Sequence, residues 1–387
     1  MRKTVLVVCS RFPYPPIGGD KLKSYNLIKI LSNDYNVHLV SLIDRKFEND
    51  DYVFCNKYCI KYKIFEKSKI EHLLAASNSL FNNKPIQVNY YYFNNVQQYI
   101  NKSSESCDFI VNTLIRTSEY VYNIKKIKFL DMVDSLYLNY KSSKLNVKYF
   151  LWKIIYTIEE KRLFNYEKKI IKQSNASFFV NQDESNFWSD YGNTICIPNG
   201  VNSDLFAYSN KDTSYENTII FFGKMNYQPN IDAVDWFMKN VFPYINKEIK
   251  FLILGSHPSK VLNKYISDRV LISGFVDDPY EIINGSLLSV APMQTGAGIQ
   301  NKILEVMALG KIVITSSLGA KPLKGIKNNK NILIEDDGER MAKLIDEIFL
   351  NREKYVNLEI SSRKFIASNY TWDYYKTKLY KMIESYI

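Results

Sequence analysis

The sequence predicts an α/β protein made of two successive doubly wound domains, each a parallel sheet covered by helices on both faces. Short apolar runs alternate with helical patterns along the chain, as they do in parallel sheets. The alternation stops in a polar segment, residues 198–217, and then restarts. The 387 residues also exceed one ordinary core and suit two domains of about 150 to 200 residues.

We expect an N-terminal domain over residues 1–198, a second domain over 199–368, and a C-terminal helix over 369–387 that returns to the first. The two domains should face a cleft. The first set of strands is predicted at Thr4–Ser10, Asn36–Ile43, Cys59–Phe65, Asp108–Asn112, Lys128–Met132 and Ala176–Val180, with helices over Lys21–Ser32, Ser68–Phe81 and Lys148–Gln173. The second set of strands is predicted at Thr218–Phe222, Lys250–Gly255, Val270–Ser273, Leu287–Ala291, Ile312–Thr315 and Asn331–Ile334.

Composition favours a soluble enzyme without a metal centre. Charged residues are 24% and hydrophobic residues 46% of the chain, and no stretch approaches the roughly 20 apolar residues that span a bilayer. The apolar run at the start is too short for a signal peptide, so we expect a cytoplasmic protein. The five cysteines are scattered and interpreted as reduced thiols, and none of the three histidines neighbours one, which argues against zinc.

The net charge of +11 indicates an anionic partner. Basic residues alternate with aromatic ones over residues 57–69 and again over 141–172. Such a helix can rest on an anionic membrane, here the inner face of the plasma membrane, although a lysine-rich outer face over an aromatic core gives the same pattern. Nucleic acid is not expected as a partner, because no known nucleic-acid-binding signature accompanies the charge.

A glycine loop before a helix is the main candidate site. Gly296 and Gly298 follow an apolar strand, and the helix after them contains Lys302 and Glu305. Free N–H groups at a helix start favour phosphate, while residues three apart share one face, so the ammonium can bind phosphate and the carboxylate ribose hydroxyls. The alternative is an ordinary solvated pair on an amphipathic helix.

A second cation follows another buried strand. The segment 218–237 ends its strand at Gly223 and Lys224, and Pro229 opens the next helix. Because ligands bind outside the carboxyl ends of parallel strands, Lys224 and Lys302 can converge on one diphosphate. Taken alone, Lys224 is better explained as a solvated loop lysine.

The first domain has a glycine loop of its own. Gly18 and Gly19 permit a close approach of the backbone, and Asp20 can cap the following helix. The loop can face the cleft and touch phosphate or acceptor. A proline-stiffened turn with a capped helix explains it as well.

Six segments together resemble the retaining glycosyltransferases of family 4, which have the two-domain GT-B fold. They are RFPYPPIGGDKLKSYNL, IPNGVNSDLF, FFGKMNYQPN, SGFVDDPYE, APMQTGAGIQNKILEVMALGKIVIT and NYTW. The resemblance covers nearly the whole chain and is greatest to the branch that builds bacterial surface polysaccharides. It implies a sugar transfer from a nucleotide-diphosphate donor, a UDP- or GDP-sugar, to a hydroxyl of a glycan or lipid-linked acceptor. Capsule, exopolysaccharide or lipopolysaccharide synthesis is the implied setting.

The resemblance assigns donor contacts to named positions. Glu305 matches the residue that binds the ribose, and Lys224 matches the first basic residue of the phosphate clamp. The residues matched to the donor's base, sugar and diphosphate are Phe275, Val276, Gly296, Gly298, Ile299, Gln300 and Asn301.

Two positions depart from the family pattern. The first of the usual paired glutamates is replaced by Ala297, and the second clamp lysine by Pro229. We expect Lys302 to replace the missing lysine, so that two cations still meet the diphosphate. The change at Ala297 bears on how the sugar hydroxyls are bound.

The implied chemistry keeps the anomeric configuration and needs no metal ion or other cofactor, because cations and N–H groups stabilise the leaving diphosphate. The pairs Asp50/Asp51, Asp277/Asp278 and Asp336/Asp337 are therefore interpreted as turn or cap residues, with Asp278 as a helix N-cap. A phosphate oxygen can itself take the acceptor proton.

If a protein base takes part, the candidates lie in the first domain, where Asp131, Asp134 and Arg116 follow predicted strands. Asp134 is either near the reacting sugar or a helix cap. Two other functions remain open: a nucleotide-sugar epimerase or hydrolase on the same fold, and a nucleotide-sugar-binding protein without transferase activity.

Overall fold

The computed structural model describes residues 2–144, 150–296 and 298–387. The chain divides into two compact units. One comprises Met1–Pro198 together with Lys376–Ile387, and the other comprises Asn199–Tyr375.

The first unit contains a seven-stranded sheet in the order β3-β2-β1-β4-β5-β6-β7, with every neighbouring pair parallel. Its strands are β1 Thr4–Cys9, β2 Asn36–Ile43, β3 Lys61–Glu66, β4 Phe109–Thr113, β5 Ile127–Val133, β6 Ala176–Phe179 and β7 Thr194–Cys196. Its helices are α1 Gly19–Leu31, α2 Asn49–Tyr58, α3 Lys69–Ser77, α4 Ile86–Tyr90, α5 Asn94–Glu105, α6 Ser118–Val121, α7 Leu136–Ser143, α8 Phe150–Gln173 and α9 Gln182–Trp188.

The second unit contains a six-stranded sheet in the order β10-β9-β8-β11-β12-β13, again parallel throughout. Its strands are β8 Thr218–Phe222, β9 Lys250–Leu254, β10 Val270–Gly274, β11 Leu288–Ala291, β12 Val313–Thr315 and β13 Leu333–Ile334. The helices from here to the C-terminus are α10 Gln228–Asn240, α11 Pro279–Gly285, α12 Asn301–Ala308, α13 Ser317–Ala320, α14 Gly338–Leu350, α15 Val356–Asn369 and α16 Trp372–Glu384.

The central strands are apolar on both faces because helices cover both sides of each sheet. Strand β1 reads TVLVVC, and all but its first residue are buried. In the second unit β8 reads TIIFF; Phe221 packs into the core on one face and Ile220 into the core on the other. These runs of β-branched and aromatic residues favour strands, and their burial fixes the register of each sheet.

The end of α16 belongs to the first unit. There the Tyr380 hydroxyl donates a hydrogen bond of 2.6 Å to the Ile30 carbonyl oxygen, and Tyr386 contacts Asn193. These contacts place the C-terminal residues against α1 and the loop before β7.

The predicted strands are confirmed, with bounds shifted by up to two residues. The sequence missed β7, and it predicted one helix over Ser68–Phe81 where α3 ends at Ser77. Helix α8 confirms most of the predicted Lys148–Gln173, while Lys148 and Tyr149 lie outside the described residues. In the part of the chain that the structure describes, no helix is both long and apolar enough to cross a membrane.

Candidate functional site

The candidate site lies at the carboxyl edge of the second sheet. Strands β8, β10 and β11 run parallel, so the loops that follow them emerge at the same edge. These loops begin at Gly223, Phe275 and Pro292. The structure therefore places most of the donor-binding residues predicted from the sequence at one end of one unit.

Lys302 extends from the first turn of α12 across the end of β8. Its Nζ donates to Asn230 Oδ1 at 2.5 Å and lies 4.3 Å from the ring centroid of Phe221. A Cβ atom added at Gly223 would meet this Nζ at 3.3 Å, so the ammonium group sits directly beside the loop after β8. Burial lowers the pKa of Lys302 to about 7, an effect that Glu305 opposes.

Glu305 lies one turn further along α12 and shares its face with Lys302. The Tyr280 hydroxyl hydrogen-bonds to its carboxylate. Burial raises the pKa of Glu305 to about 7, while the bond from Tyr280 and the charge of Lys302 act against this rise. The two charged groups therefore stand side by side, each with one neutral partner.

Lys224 is exposed immediately after Gly223. Its carbonyl oxygen accepts a hydrogen bond of 2.8 Å from Asn230 Nδ2. One amide side chain thus binds the backbone of one candidate lysine and the ammonium group of the other. Asn230 holds the two candidate clamp residues in a fixed relation.

The glycine loop adopts backbone conformations that favour glycine. Gly296 has φ 108° and Gly298 has φ 76°, both in the left-handed region. A Cβ at Gly296 would meet Cβ of Pro229 at 3.5 Å, so this loop lies against the start of α10. Ala297 lies outside the described residues.

The loop leads directly into the N-terminus of α12. Gln300 is the N-cap residue of this helix, and its side chain makes no capping hydrogen bond. The Gln300 side chain therefore does not compete with an external acceptor for the first-turn N–H groups, of which that of Ile303 donates to the Gln300 carbonyl oxygen at 2.9 Å. Ile299 packs against the core beneath.

Asn301, the first residue of α12, accepts a hydrogen bond of 3.2 Å from Asn199 Nδ2. Asn199 begins the second unit, and the next residue is Gly200, where a Cβ would approach the Trp372 nitrogen to 2.3 Å. Only glycine fits there. The sequence analysis noted this segment as a domain junction but did not predict that its asparagine would contact α12.

The loop after β10 supplies an exposed aromatic ring. Phe275 is 69% exposed, whereas Val276 packs against the core. Asp278 caps α11 by accepting a hydrogen bond of 3.0 Å from the Tyr280 N–H, which confirms the predicted N-cap. The cap positions Tyr280 towards Glu305.

The expected cap at Asp20 in the first unit is wrong. Gly18 (φ 102°) is the N-cap position of α1 and Gly19 starts the helix, so Asp20 lies inside the first turn. Asp20 instead binds Arg11 at 2.9 Å.

At the end of β5, Ser135 is the N-cap of α7, because its hydroxyl accepts from the Leu138 N–H. Asp134 precedes it and has one buried carboxylate oxygen without a hydrogen-bond partner among the described residues. Burial raises the pKa of Asp134 to about 6, against the charge of Lys23. Asp131 forms a fully buried ion pair of 2.5 Å with the same lysine. Asp131 Oδ2 is likewise buried and has no hydrogen-bond partner among the described residues. The two aspartates therefore differ in the ion pair: Asp131 binds Lys23 of α1 directly through its other oxygen.

Arg116 follows β4 at the same edge of the first sheet. Its Nε donates to Gln87 Oε1 at 2.7 Å, and its guanidinium lies 5.3 Å from the ring centroid of Tyr91. Both contacts hold the side chain in place.

Asn230 and Tyr280 are site residues that the sequence did not predict. Asn230 directly follows Pro229, which departs from the family pattern. That departure is the signal that could have indicated Asn230. Tyr280 follows the capping pair Asp278 and Pro279, which was interpreted only as a helix start. Within the described residues, no three His, Cys, Asp or Glu side chains are grouped to hold a metal ion.

Part of the second unit matches a known protein family. Residues 216–351, which include every candidate residue of the second unit from Lys224 to Glu305, match the family model of glycosyl transferases group 1. An uncharacterized 44.6 kDa protein in the cps region of Klebsiella pneumoniae is 24% identical over 95% of this chain and 96% of its own length.

Solved structures share the fold across the whole chain. HepE of Anabaena, solved with UDP and glucose, aligns with a TM-score of 0.69 at 11% identity over 98% of this chain and 99% of its own. Sucrose-phosphate synthase of Thermosynechococcus elongatus aligns with a TM-score of 0.69 at 13% identity over 99% of both chains. The chain has the GT-B fold, and the family match together with this fold supports a glycosyltransferase.

Proposed function

We propose that the protein is a retaining glycosyltransferase that moves a sugar from a UDP- or GDP-sugar to a hydroxyl of a glycan or lipid-linked acceptor. The observation that supports this most is the paired Lys302 and Glu305 on α12, with Lys224 on the neighbouring loop. A nucleoside diphosphate presents a ribose diol and a diphosphate at once, and these groups match a carboxylate and two cations.

In this proposal the second unit binds the donor. Glu305 accepts hydrogen bonds from the ribose hydroxyls, and the exposed ring of Phe275, with Val276 beneath it, packs on the base. The glycine loop and the open N-terminus of α12, from Gly296 to Asn301, bind the diphosphate.

The transfer breaks the bond between the anomeric carbon and the diphosphate oxygen, and it forms a bond from that carbon to the acceptor oxygen on the same face. The leaving diphosphate gains negative charge, which Lys224, Lys302 and the loop N–H groups stabilise. A phosphate oxygen takes the acceptor proton. No step then requires a metal ion.

The first unit supplies the acceptor side, with Gly18, Gly19, Asp20 and Arg116 at the carboxyl edge of its sheet. Asp134 contacts the reacting sugar through its unsatisfied oxygen. The cps region named for the Klebsiella relative favours capsule synthesis over exopolysaccharide or lipopolysaccharide synthesis as the setting.

Product analysis tests the proposal. The purified protein is incubated with UDP- and GDP-sugars and extracts containing lipid-linked glycans, and proton NMR reads the anomeric configuration. Transfer with the donor's configuration is the expected result, and an inverted product contradicts a retaining mechanism. Release of free sugar or an epimerised donor without any acceptor would instead favour the hydrolase or epimerase.

A further inference from the structure

Helix α3 and the turn after it expose five large apolar side chains to solvent. Their exposed fractions are 64% to 88%, and the residues are Ile70, Leu73, Leu74, Leu80 and Phe81. On its inner side the helix buries only His72 and Ala75. An apolar face of this kind on a surface helix indicates an interaction site.

The first half of α8 also exposes large apolar side chains. Trp152, Ile154 and Ile158 are each more than 40% exposed. Helix α4 lies between the two helices: it packs against α3, and its first N–H, from Ile86, donates to Glu159 of α8 at 2.7 Å. We call the exposed faces of α3, its following turn and the first half of α8 the α3–α8 surface.

The carboxylates of the α3–α8 surface are already neutralised. Glu71 binds Lys67 at 2.9 Å, and Glu160 binds Lys144 at 3.0 Å. Glu159 is buried and accepts hydrogen bonds from Ile86 N and Arg162.

The net positive charge of the α3–α8 surface comes from lysines that have no carboxylate partner within the described part of the chain. Lys69, Lys153 and Lys161 are exposed, and none forms an ion pair with another described residue. The surface therefore combines large apolar side chains with unpaired positive charge.

We infer that the α3–α8 surface binds an anionic lipid bilayer. Its apolar side chains would enter the boundary between headgroups and acyl chains, while Lys69, Lys153 and Lys161 contact lipid phosphates. A bilayer would present a lipid-linked acceptor to the transferase proposed above, and the biological role of this membrane contact therefore rests on that proposed function. The sequence pattern indicated the basic segments 57–69 and 141–172, and the structure adds the exposed apolar side chains of α3.

A second copy of the chain fits this surface less well. A symmetric contact places the same patch on both subunits, so the unpaired lysines would face each other without free carboxylates between them. Anionic lipid removes that repulsion.

Flotation of the full chain with vesicles tests the inference. The vesicles are phosphatidylcholine with and without phosphatidylglycerol. One variant carries Leu73→Ser with Phe81→Ser, and a second carries Lys69→Gln, Lys153→Gln and Lys161→Gln. Matched controls in the second unit are Leu350→Ser with Ile360→Ser, and Lys247→Gln with Lys330→Gln and Lys354→Gln.

We expect wild type and both controls to float only with the anionic vesicles, and each surface variant to bind at least about tenfold less. Absence of flotation by the wild type, or equal losses in the controls, would overturn the inference. So would a concentration-dependent dimer in sedimentation equilibrium that Leu73→Ser with Phe81→Ser abolishes. Nucleotide binding in solution is measured in parallel. If nucleotide binding persists while flotation fails, only the membrane inference is rejected. If nucleotide binding fails while flotation persists, only the proposed transferase function is rejected.

Discussion

Lys302 is the residue on which the proposed chemistry depends most. It reaches the end of β8 from another element and has a neutral partner, Asn230, in place of a carboxylate. Its charge is therefore available to a diphosphate. This arrangement supports the expectation that Lys302 compensates for the lysine that Pro229 replaces.

Lys302→Met should lower kcat at least about tenfold, because one lost charge-assisted contact to the leaving group is worth roughly 1.5 to 3 kcal/mol. Lys224→Met should have a comparable effect. The measurement is release of the nucleoside diphosphate under saturating donor. Lys239, an exposed lysine paired with Asp235 in the same unit, provides a matched control. Wild-type rates in both site variants would refute the two-cation clamp.

Asn230 should act as a positioning residue. Asn230→Ala removes the hydrogen bonds to Lys302 and to the Lys224 carbonyl, so kcat should fall about fivefold to tenfold. Asn230→Asp places a carboxylate beside the ammonium, which should raise the pKa of Lys302 and raise KM through repulsion of the phosphates.

The control is Asn240→Ala, which also removes a hydrogen bond from an amide to a backbone carbonyl in α10 but lies at the far end of that helix. If Asn230→Ala and Asn240→Ala behave alike, Asn230 has no positioning role.

Nucleotide affinity should peak near pH 7. Burial lowers the pKa of Lys302 to about 7, so the ammonium loses its proton, and its attraction for phosphate, as the pH rises above that value. Burial raises the pKa of Glu305 to about 7, so the carboxylate is protonated, and accepts ribose hydroxyls less well, as the pH falls below it. Calorimetric titration from about pH 5 to about pH 9, which extends about two units to either side of both pKa values, measures both limbs. Glu305→Gln should lose the acid limb and Lys302→Met the alkaline limb; unchanged profiles would contradict this account.

At the scale of elements, the loop after β8 constrains the site. Gly223 has φ 151°, and a Cβ there would meet Asn230 Nδ2 at 3.0 Å and Lys302 Nζ at 3.3 Å. Gly223→Ala should therefore displace Lys302 and lower kcat about tenfold or more, in addition to the cost of the strained backbone.

Gly310→Ala is the matched control, because its φ of 77° is also in the left-handed region while its nearest neighbours belong to the flexible Arg363 side chain. Circular dichroism melts of the two variants separate strain from the effect on Lys302. Equal kcat losses at equal stability would show that Gly223 has no specific role.

The elements that the sequence predicted well are those with strong, local patterns. Local sequence alone is enough to predict buried apolar strands such as β1 and β8, and also the glycine loop before α12. The three-residue strand β7 was missed because so short a run has no distinct pattern. The expected cap at Asp20 was wrong because the chain enters the helix two residues earlier, through the left-handed Gly18. Of the two alternatives for Asp134, the helix cap is excluded because Ser135 takes that position. The contacts of Asn230 and Tyr280 depend on which loops lie next to each other in the fold. A single segment of sequence does not contain that information.

At the scale of the whole molecule, side chains and N–H groups supply all catalytic charge in the proposed mechanism. Turnover should therefore survive EDTA, with a change of less than about twofold, because two lysines stabilise the leaving diphosphate. Nucleoside diphosphate release with and without chelator measures this, and a known magnesium-dependent transferase run in the same buffer shows that the chelation is complete. Loss of activity that Mg²⁺ or Mn²⁺ restores would contradict the metal-independent mechanism.

The most direct test is calorimetric titration of the wild type and of Glu305→Gln with UDP and with GDP. The central claim is that Glu305 and Lys302, at the carboxyl edge of the second sheet, bind a nucleoside diphosphate. We predict that one of the two nucleotides binds the wild type and that Glu305→Gln, which keeps the shape but loses the charge, weakens it about tenfold or more. Binding of neither nucleotide, or equal affinity in both proteins, would contradict the account.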